Sequence, residues 1–192
     1  MKKKISLIDF GAGNLHSVYK AFKFIGADIE ITNDSNKIEK SDAVVFPGVG
    51  AFGEVMKSIR NNNLEEIIVK SAKSSKPFLG ICVGMQVLFE CGEENPYEKG
   101  LSIFKGKVIK FKKAKKIPHI GWNDVNGQKY YFVHSYYVLP EDKNIICGET
   151  DYDGEKFTSM IKKDNLLAVQ FHPEKSGDAG LELLKSFIFD LS

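Results

Sequence analysis

Cysteine is scarce in this 192-residue chain. There are three, Cys82, Cys91 and Cys147, an odd number without metal-ligand spacing. A disulfide framework and a cysteine-built metal site are both disfavoured, and reduced thiols in a reducing, cytoplasmic compartment fit best. An excess of one charge is also missing. With 27 Lys and Arg against 25 Asp and Glu, the net charge is +2. That argues against a polyanion-binding protein. A hydrophobic content of 43% argues against disorder. No apolar run approaches the roughly 20 residues of a membrane span. The opening "MKKKISLIDFGAGN" has the lysines of a signal peptide, yet its short apolar stretch carries Asp9 and leads to no small-residue cleavage site. It reads as a first strand. Repeats, low-complexity tracts and linkers are lacking too, so the length predicts one domain over residues 1–192.

What is present alternates. "KISLIDF" reads as a strand and "NLHSVYKAFKFIG" as a helix, with Leu15, Val18, Phe22 and Ile25 on one face and Gly26 closing it. "DIEITN" and "DAVVFPG" are further strands, the second apolar enough for burial on both faces. "FGEVMKSIRNNNLEEIIVKSAKSS" supplies helix before the strand "PFLGI". Strands alternating with helices predict a parallel sheet covered by helices. From about residue 100 the pattern changes to strand-like segments, among them "LSIFKGKVIKF", "KYYFVHSYYVL", "NIICGETDY", "KFTSMIKKD" and "NLLAVQF". Turn signals such as Asn126-Gly127 and Asp153-Gly154 separate them. A closing amphipathic helix, "DAGLELLKSFIFDL", completes an α/β fold with an antiparallel second half.

The chemistry concentrates at Gly80-Ile81-Cys82-Val83-Gly84, where an apolar strand meets a helical pattern. A Gly-x-nucleophile-x-Gly sequence at such a junction is the signature of a nucleophile elbow. The glycines clear space in a tight turn, and the amide of Val83 points with the first helical turn toward whatever the sulfur attacks. A helix N-terminus there favours a thiolate. A buried structural cysteine beside packing glycines fits the pentapeptide equally well. A base is offered by "AVQFHPEKS", where His172 and Glu174 lie two apart at a strand exit. Residues i and i+2 point the same way on a strand, so the carboxylate can orient the imidazole. Such a pair alone is usually a surface ion pair. Joined to the elbow, it completes a Cys82–His172–Glu174 triad.

"GICVGMQ" and "QFHPEKS" resemble the class I, or triad, glutamine amidotransferases. "PGVGAFG" at 47–53, "PHIGWN" at 118–123 and "YFVHSYYV" at 131–138 resemble, within them, the glutaminase subunits of imidazole glycerol phosphate synthase. The resemblance covers nearly the whole chain and implies a flavodoxin-like, mostly parallel sheet flanked by helices. It implies that Cys82 attacks the side-chain amide of glutamine, His172 protonates the departing ammonia, and Glu174 orients the histidine. Gly48, Val49 and Gly50 match the oxyanion strand, whose peptide would flip to join Val83 in the hole. Gln86, Ser135 and Tyr136 match positions that hold the substrate's amino-acid end. No cofactor or metal is implied. The implied partner is a (β/α)8-barrel cyclase subunit in a heterodimer. It joins the ammonia to a phosphoribulosyl formimino ribonucleotide, giving imidazole glycerol phosphate and aminoimidazole carboxamide ribonucleotide. Asn14, Trp122, Tyr131 and Lys175 match positions expected at that contact, with a core location the alternative for the single tryptophan.

Other features carry less. "GAGN" at 11–14 starts like a dinucleotide fingerprint, but position 16 is His16. The lysine-rich stretch 105–116 alternates with apolar residues, as a solvated strand and loop would. His16, His119 and His134 lack metal-ligand spacing, and hydrogen bonding or packing suits His134. Segment 124–130 is shorter than the family usually carries. That leaves open a paralogous glutaminase serving acetamidino-sugar synthesis with a cyclase-like barrel.

Overall fold

A computed structural model of the chain describes residues 3–11 and 14–189. The middle of "GAGN" and the end of the last helical pattern lie outside the described residues. The first half alternates β1 (Lys4–Ile8), α1 (Leu15–Phe24), β2 (Asp28–Thr32), α2 (Ser35–Lys40), β3 (Ala43–Phe46), α3 (Phe52–Asn61), α4 (Glu65–Lys73) and β4 (Phe78–Ile81). Every residue of β3 and β4 is buried, as strands covered on both faces require. Gly26, at φ 84°, ends the turn after α1.

The stretch expected to supply helix does so as two helices, because the chain turns through Asn63 in the left-handed region at φ 55°. The short α2 shows no apolar periodicity. It exists because Asp34 Oδ1 accepts the N–H groups of Asn36 and Lys37 at 2.8 and 3.4 Å.

After β4 come α5 (Val83–Gln86), β5 (Cys91–Gly92), β6 (Asn95–Lys99), β7 (Gly106–Lys110), β8 (His119–Val125), β9 (Gln128–His134), β10 (Tyr136–Pro140), β11 (Ile146–Tyr152), β12 (Glu155–Lys163), β13 (Leu166–Val169) and α6 (Gly177–Phe189). The main sheet runs β2-β1-β3-β4-β13-β12-β10-β7-β5-β6, with β11 on β12. Its β2-β1-β3-β4-β13 half is parallel throughout, in the flavodoxin-like order. From β13 the ladders to β12, β10 and β7 are antiparallel. The segment "KYYFVHSYYVL", expected as one strand, is two. β9 pairs only with β8 in a separate hairpin, whereas β10 joins the main sheet, and the break falls at Ser135. Asn126 and Gly127, both at positive φ, close that hairpin.

Candidate active site

Three parallel neighbours, β3, β4 and β13, end nearly level: Phe46 is in register with Gly80, and Val169 with Ile81. In open α/β sheets the carboxyl ends of the strands are where ligands bind. Here they release Gly48, Cys82 and His172 side by side.

Cys82 sits at φ 54°, ψ −114°, a conformation that a non-glycine residue adopts only when its surroundings compel it. Its N–H donates to Val169 O at 2.7 Å, tying the elbow to β13. The glycines are steric necessities. A Cβ on Gly84 would stand 2.2 Å from Phe46 O, and one on Gly48 would stand 2.5 Å from Gly84 N. On Gly80 it would meet Ala168 Cβ and Gly84 O at 3.1 Å. The helical contribution is smaller than the sequence suggests. α5 has only four residues, so few aligned peptides add to any dipole at the sulfur.

His172 and Glu174 meet for a different reason than strand periodicity. β13 has already ended, and Pro173–Lys175 form a 3-10 turn that swings the carboxylate back over the ring. Glu174 Oε1 lies 2.9 Å from His172 Nδ1, with both side chains 2% exposed. Nδ1 therefore carries a proton, and the buried Nε2 faces the Cys82 sulfur. Burial alone would lower the imidazole pKa. The neighbouring Cys82 sulfur and the Glu174 carboxylate outweigh it and raise the pKa to about 10. The geometry holds an imidazolium beside a sulfur.

The loop Gly48-Val49-Gly50 lies against the elbow, but its carbonyl points inward. Val83 N–H donates to Gly48 O at 3.4 Å, so the amide expected to face a substrate is engaged. Gly50, at φ 116°, gives the loop a backbone freedom that side-chain-bearing residues lack.

A cavity of about 300 Å³ opens over Cys82 and His172. It is lined by expected residues, Val49, Gly50, Val83, Gln86, Ser135 and Tyr136, and by Glu94, Pro118, Val133 and His134, which the sequence reading did not select for the site. Gln86 is 3% exposed, and both its donor positions are spent internally: Nε2 bonds Tyr136 O at 3.0 Å and Gln170 Oε1 at 3.0 Å. Only its oxygen remains for a ligand. Glu94 adds a carboxylate at the rim, and its Oε2 accepts Phe52 N–H at 2.7 Å. Its Glu-Glu-Asn context is an ordinary turn signal, so nothing in the sequence marks it. His134 is neutral, because burial drives its pKa down to about 3. It hydrogen-bonds Tyr136 O at 2.8 Å and His119 at 3.1 Å. Among the described residues no group of acidic, His or Cys side chains could hold a metal ion.

The β8–β9 hairpin turns His119, Tyr130, Phe132 and His134 inward and presents Ile120, Trp122, Tyr131 and Val133 outward. Trp122 is 57% exposed, so it is not a core residue, and its ring meets Tyr131 edge-on. Lys175 is exposed on the turn below His172. Asn14 is exposed and caps α1 through its Oδ1. None of Asn14, Trp122, Tyr131 and Lys175 lines the cavity. Of the three free thiols Cys82 is buried, Cys147 half-buried and Cys91 exposed.

A family model described as "Glutamine amidotransferase class-I" matches residues 6–191. Curated relatives include "Imidazole glycerol phosphate synthase subunit HisH" of Pyrococcus furiosus, 46% identical over 96% of this chain and 97% of its own. The protein of the same description from Methanocaldococcus jannaschii is 47% identical over 96% and 98%. Among solved structures, PurLQS from Thermotoga maritima superposes with a TM-score of 0.78 at 18% identity, covering 100% of both chains, a likeness of fold.

Proposed function

The chain belongs to the class-I glutamine amidotransferase family, and on that premise we propose that it is the glutaminase subunit of an imidazole glycerol phosphate synthase. It hydrolyses glutamine and passes ammonia to a (β/α)8-barrel cyclase. The observation that carries the reading is Cys82 on a strained elbow with the His172–Glu174 pair on the adjacent strand exit, all opening to one cavity.

Cys82 Sγ, as thiolate, attacks the side-chain carbonyl carbon of glutamine. The protonated His172 gives its Nε2 proton to the departing nitrogen, and ammonia leaves. A water, losing a proton to the now neutral His172 Nε2, then hydrolyses the γ-glutamyl thioester to glutamate, and the sulfur leaves as the thiolate beside the imidazolium. Glu174 keeps the ring oriented and its charge balanced throughout. The substrate's ammonium rests against Glu94 and Gln86 Oε1, and its carboxylate lies toward Ser135 and Tyr136. The oxyanion needs Val83 N–H, which Gly48 O now occupies. Rotating the Gly48–Val49 peptide removes that carbonyl and brings Val49 N–H toward the same place, so one movement supplies two donors. The exposed apolar face of Trp122, Tyr131, Ile120 and Val133, continuous with the cavity rim at Val133 and Pro118, is where the barrel docks, with Lys175 and Asn14 at its edge. No described helix is long and apolar enough to cross a membrane. The reduced thiols suit a cytoplasmic enzyme.

The test is reconstitution with the histidine-pathway barrel. The wild-type complex should cyclise the formimino ribonucleotide with glutamine or with ammonium, and Cys82→Ala should lose only the glutamine-dependent reaction. Loss of both reactions in a folded complex would refute the assignment of Cys82. Failure to cyclise with a competent barrel would point to a surface-sugar paralogue instead.

A further inference from the structure

The structure assigns a further catalytic residue, Gln170, as a hydrogen-bond donor to the sulfur of Cys82. The assignment rests on the glutaminase reading in taking that sulfur as the reacting atom. Gln170 follows β13, is wholly buried, and its Nε2 lies 3.6 Å from Cys82 Sγ, an ordinary length for the large sulfur acceptor. An amide can present either its oxygen or its nitrogen. Which one faces the sulfur is settled by a backbone group two bonds away.

Tyr136 O can only accept. The Gln86 side chain lying 3.0 Å from it must therefore present Nε2. The same Nε2 lies 3.0 Å from the Gln170 amide, which must answer with Oε1. Gln170 is then left with Nε2 toward Cys82. Tyr136 O is itself held on its other side by His134 Nδ1–H at 2.8 Å, whose Nε2 accepts from His119 Nδ1 at 3.1 Å. Asn123 Nδ2 reaches His119 Nε2 at 3.5 Å and donates to Asp151 O at 2.8 Å. Every link in the chain has one polarity. Reversing the Gln170 amide would set two donors against each other at Gln86 and an oxygen lone pair against the sulfur.

A donor fixed in this way stabilises negative charge on sulfur more than it stabilises the neutral thiol, because hydrogen bonds to ionised acceptors are roughly twice as strong. It approaches from behind the nucleophile: Gln170 does not line the cavity. It therefore acts on the attacking atom without contacting glutamine. Turnover should depend on it, and substrate affinity should not.

The experiment follows alkylation of Cys82 by iodoacetamide against pH in the full chain, with Cys91 and Cys147 replaced by serine. Gln170→Leu and Gln170→Met keep apolar bulk in the buried position but can donate no hydrogen bond to the sulfur. The pH at half-maximal alkylation rate should rise by about half a unit to one unit in both variants. In complex with the barrel, kcat for glutamine should fall about 10- to 100-fold while KM changes by less than about threefold. Either folded variant with an unmoved alkylation profile, however slow its turnover, would overturn the proposal and leave Gln170 a packing residue. Alkylation needs neither glutamine nor partner, so this result is separable from failure of the glutaminase reading, which turnover of the wild-type complex decides.

Discussion

His172 donates its backbone N–H to the carbonyl of Tyr131 at 2.9 Å. The catalytic base is thus fastened to β9 at Tyr131, whose ring meets the exposed Trp122 of β8 on the outer face of the hairpin. Ser176 completes the clasp. Its Oγ, on a buried side chain, accepts Tyr131 N–H at 2.9 Å and donates to His172 O at 2.6 Å. Ser176→Ala removes both bonds and leaves the partly buried Tyr131 N–H unpaired, which should cost about 1–2 kcal/mol of stability. If the clasp positions the base, barrel-stimulated turnover should fall more than the basal rate. Denaturant unfolding and paired assays check this; an equal loss in both rates would mean the clasp only stabilises.

A glutamine-directed electrophile such as diazo-oxo-norleucine should label Cys82 and leave the other two thiols untouched. Cys147 is half-buried, and burial pushes its thiol up to about 11, so it lacks thiolate at neutral pH. Cys91 is exposed but has no histidine–carboxylate pair beside it. Mass spectrometry of the modified chain decides. Comparable labelling of Cys91 would show that exposure, not activation, governs reactivity.

Glu174→Gln should slow glutamine hydrolysis less than His172→Ala. The carboxylate orients and steadies the imidazolium through the 2.9 Å contact at Nδ1, whereas Nε2 moves the proton. We expect about a hundredfold or smaller loss for the glutamine variant and near-complete loss for the alanine variant. Single-turnover rates of the two compare them directly, and the reverse ranking would mean the roles are misassigned.

Stability should peak near pH 6.5 as far as three histidines govern it. Burial lowers His119 to about 4 and His134 to about 3. Their contribution is present above the unfolded value of about 6.5 and is lost as pH falls toward 4 and then 3. His172 goes the other way. With its folded value raised to about 10, its contribution is complete below about 6.5 and is lost as pH rises through 10. Melting temperatures from pH 4 to 10 trace both limbs. His119→Asn keeps a donor near Nδ1 but cannot ionise, so it should flatten the upper part of the acid limb; an unaltered limb would exclude His119 as a cause.

The alternation of short apolar strands with helices foretold the parallel half of the sheet, because buried strands leave few choices of residue. The elbow glycines were legible because the turn is crowded: a Cβ on Gly84 would stand 2.2 Å from Phe46 O, and one on Gly80 would meet Ala168 Cβ and Gly84 O at 3.1 Å. What the sequence concealed were decisions made in three dimensions. Ser135 has no turn signature, yet β9 and β10 part there because the two strands pack in different sheets. His172 and Glu174 looked like strand neighbours, but a 3-10 turn unites them. Gln170 left one trace, a glutamine at the end of the apolar run "LLAV". A polar residue there invited the question of its partner, and that partner lay 88 positions away in sequence.

The isolated chain should hydrolyse glutamine slowly, and the liganded barrel should raise the rate by orders of magnitude. The resting structure supplies the reason: Val83 N–H is spent on Gly48 O, and no donor can reach an oxyanion until that peptide turns. A single such donor is worth about 10²–10³ in rate, so the orientation of one peptide suffices as a switch. The bond to be broken is long, at 3.4 Å, and Gly48 and Gly50 lower the barrier to rotation. A partner can drive the turn only by binding the flipped state more tightly. The Trp122–Tyr131 face, joined to His172 through the backbone, is positioned to do so. Steady-state assays on the chain alone, with the barrel, and with barrel plus an acceptor analogue should give three rising rates. Gly50→Ala, strained at φ 116°, should reduce the stimulated rate most. If the lone chain already turns over at the rate of the full complex, the carbonyl at Val83 is no gate, and the hole is formed without the partner.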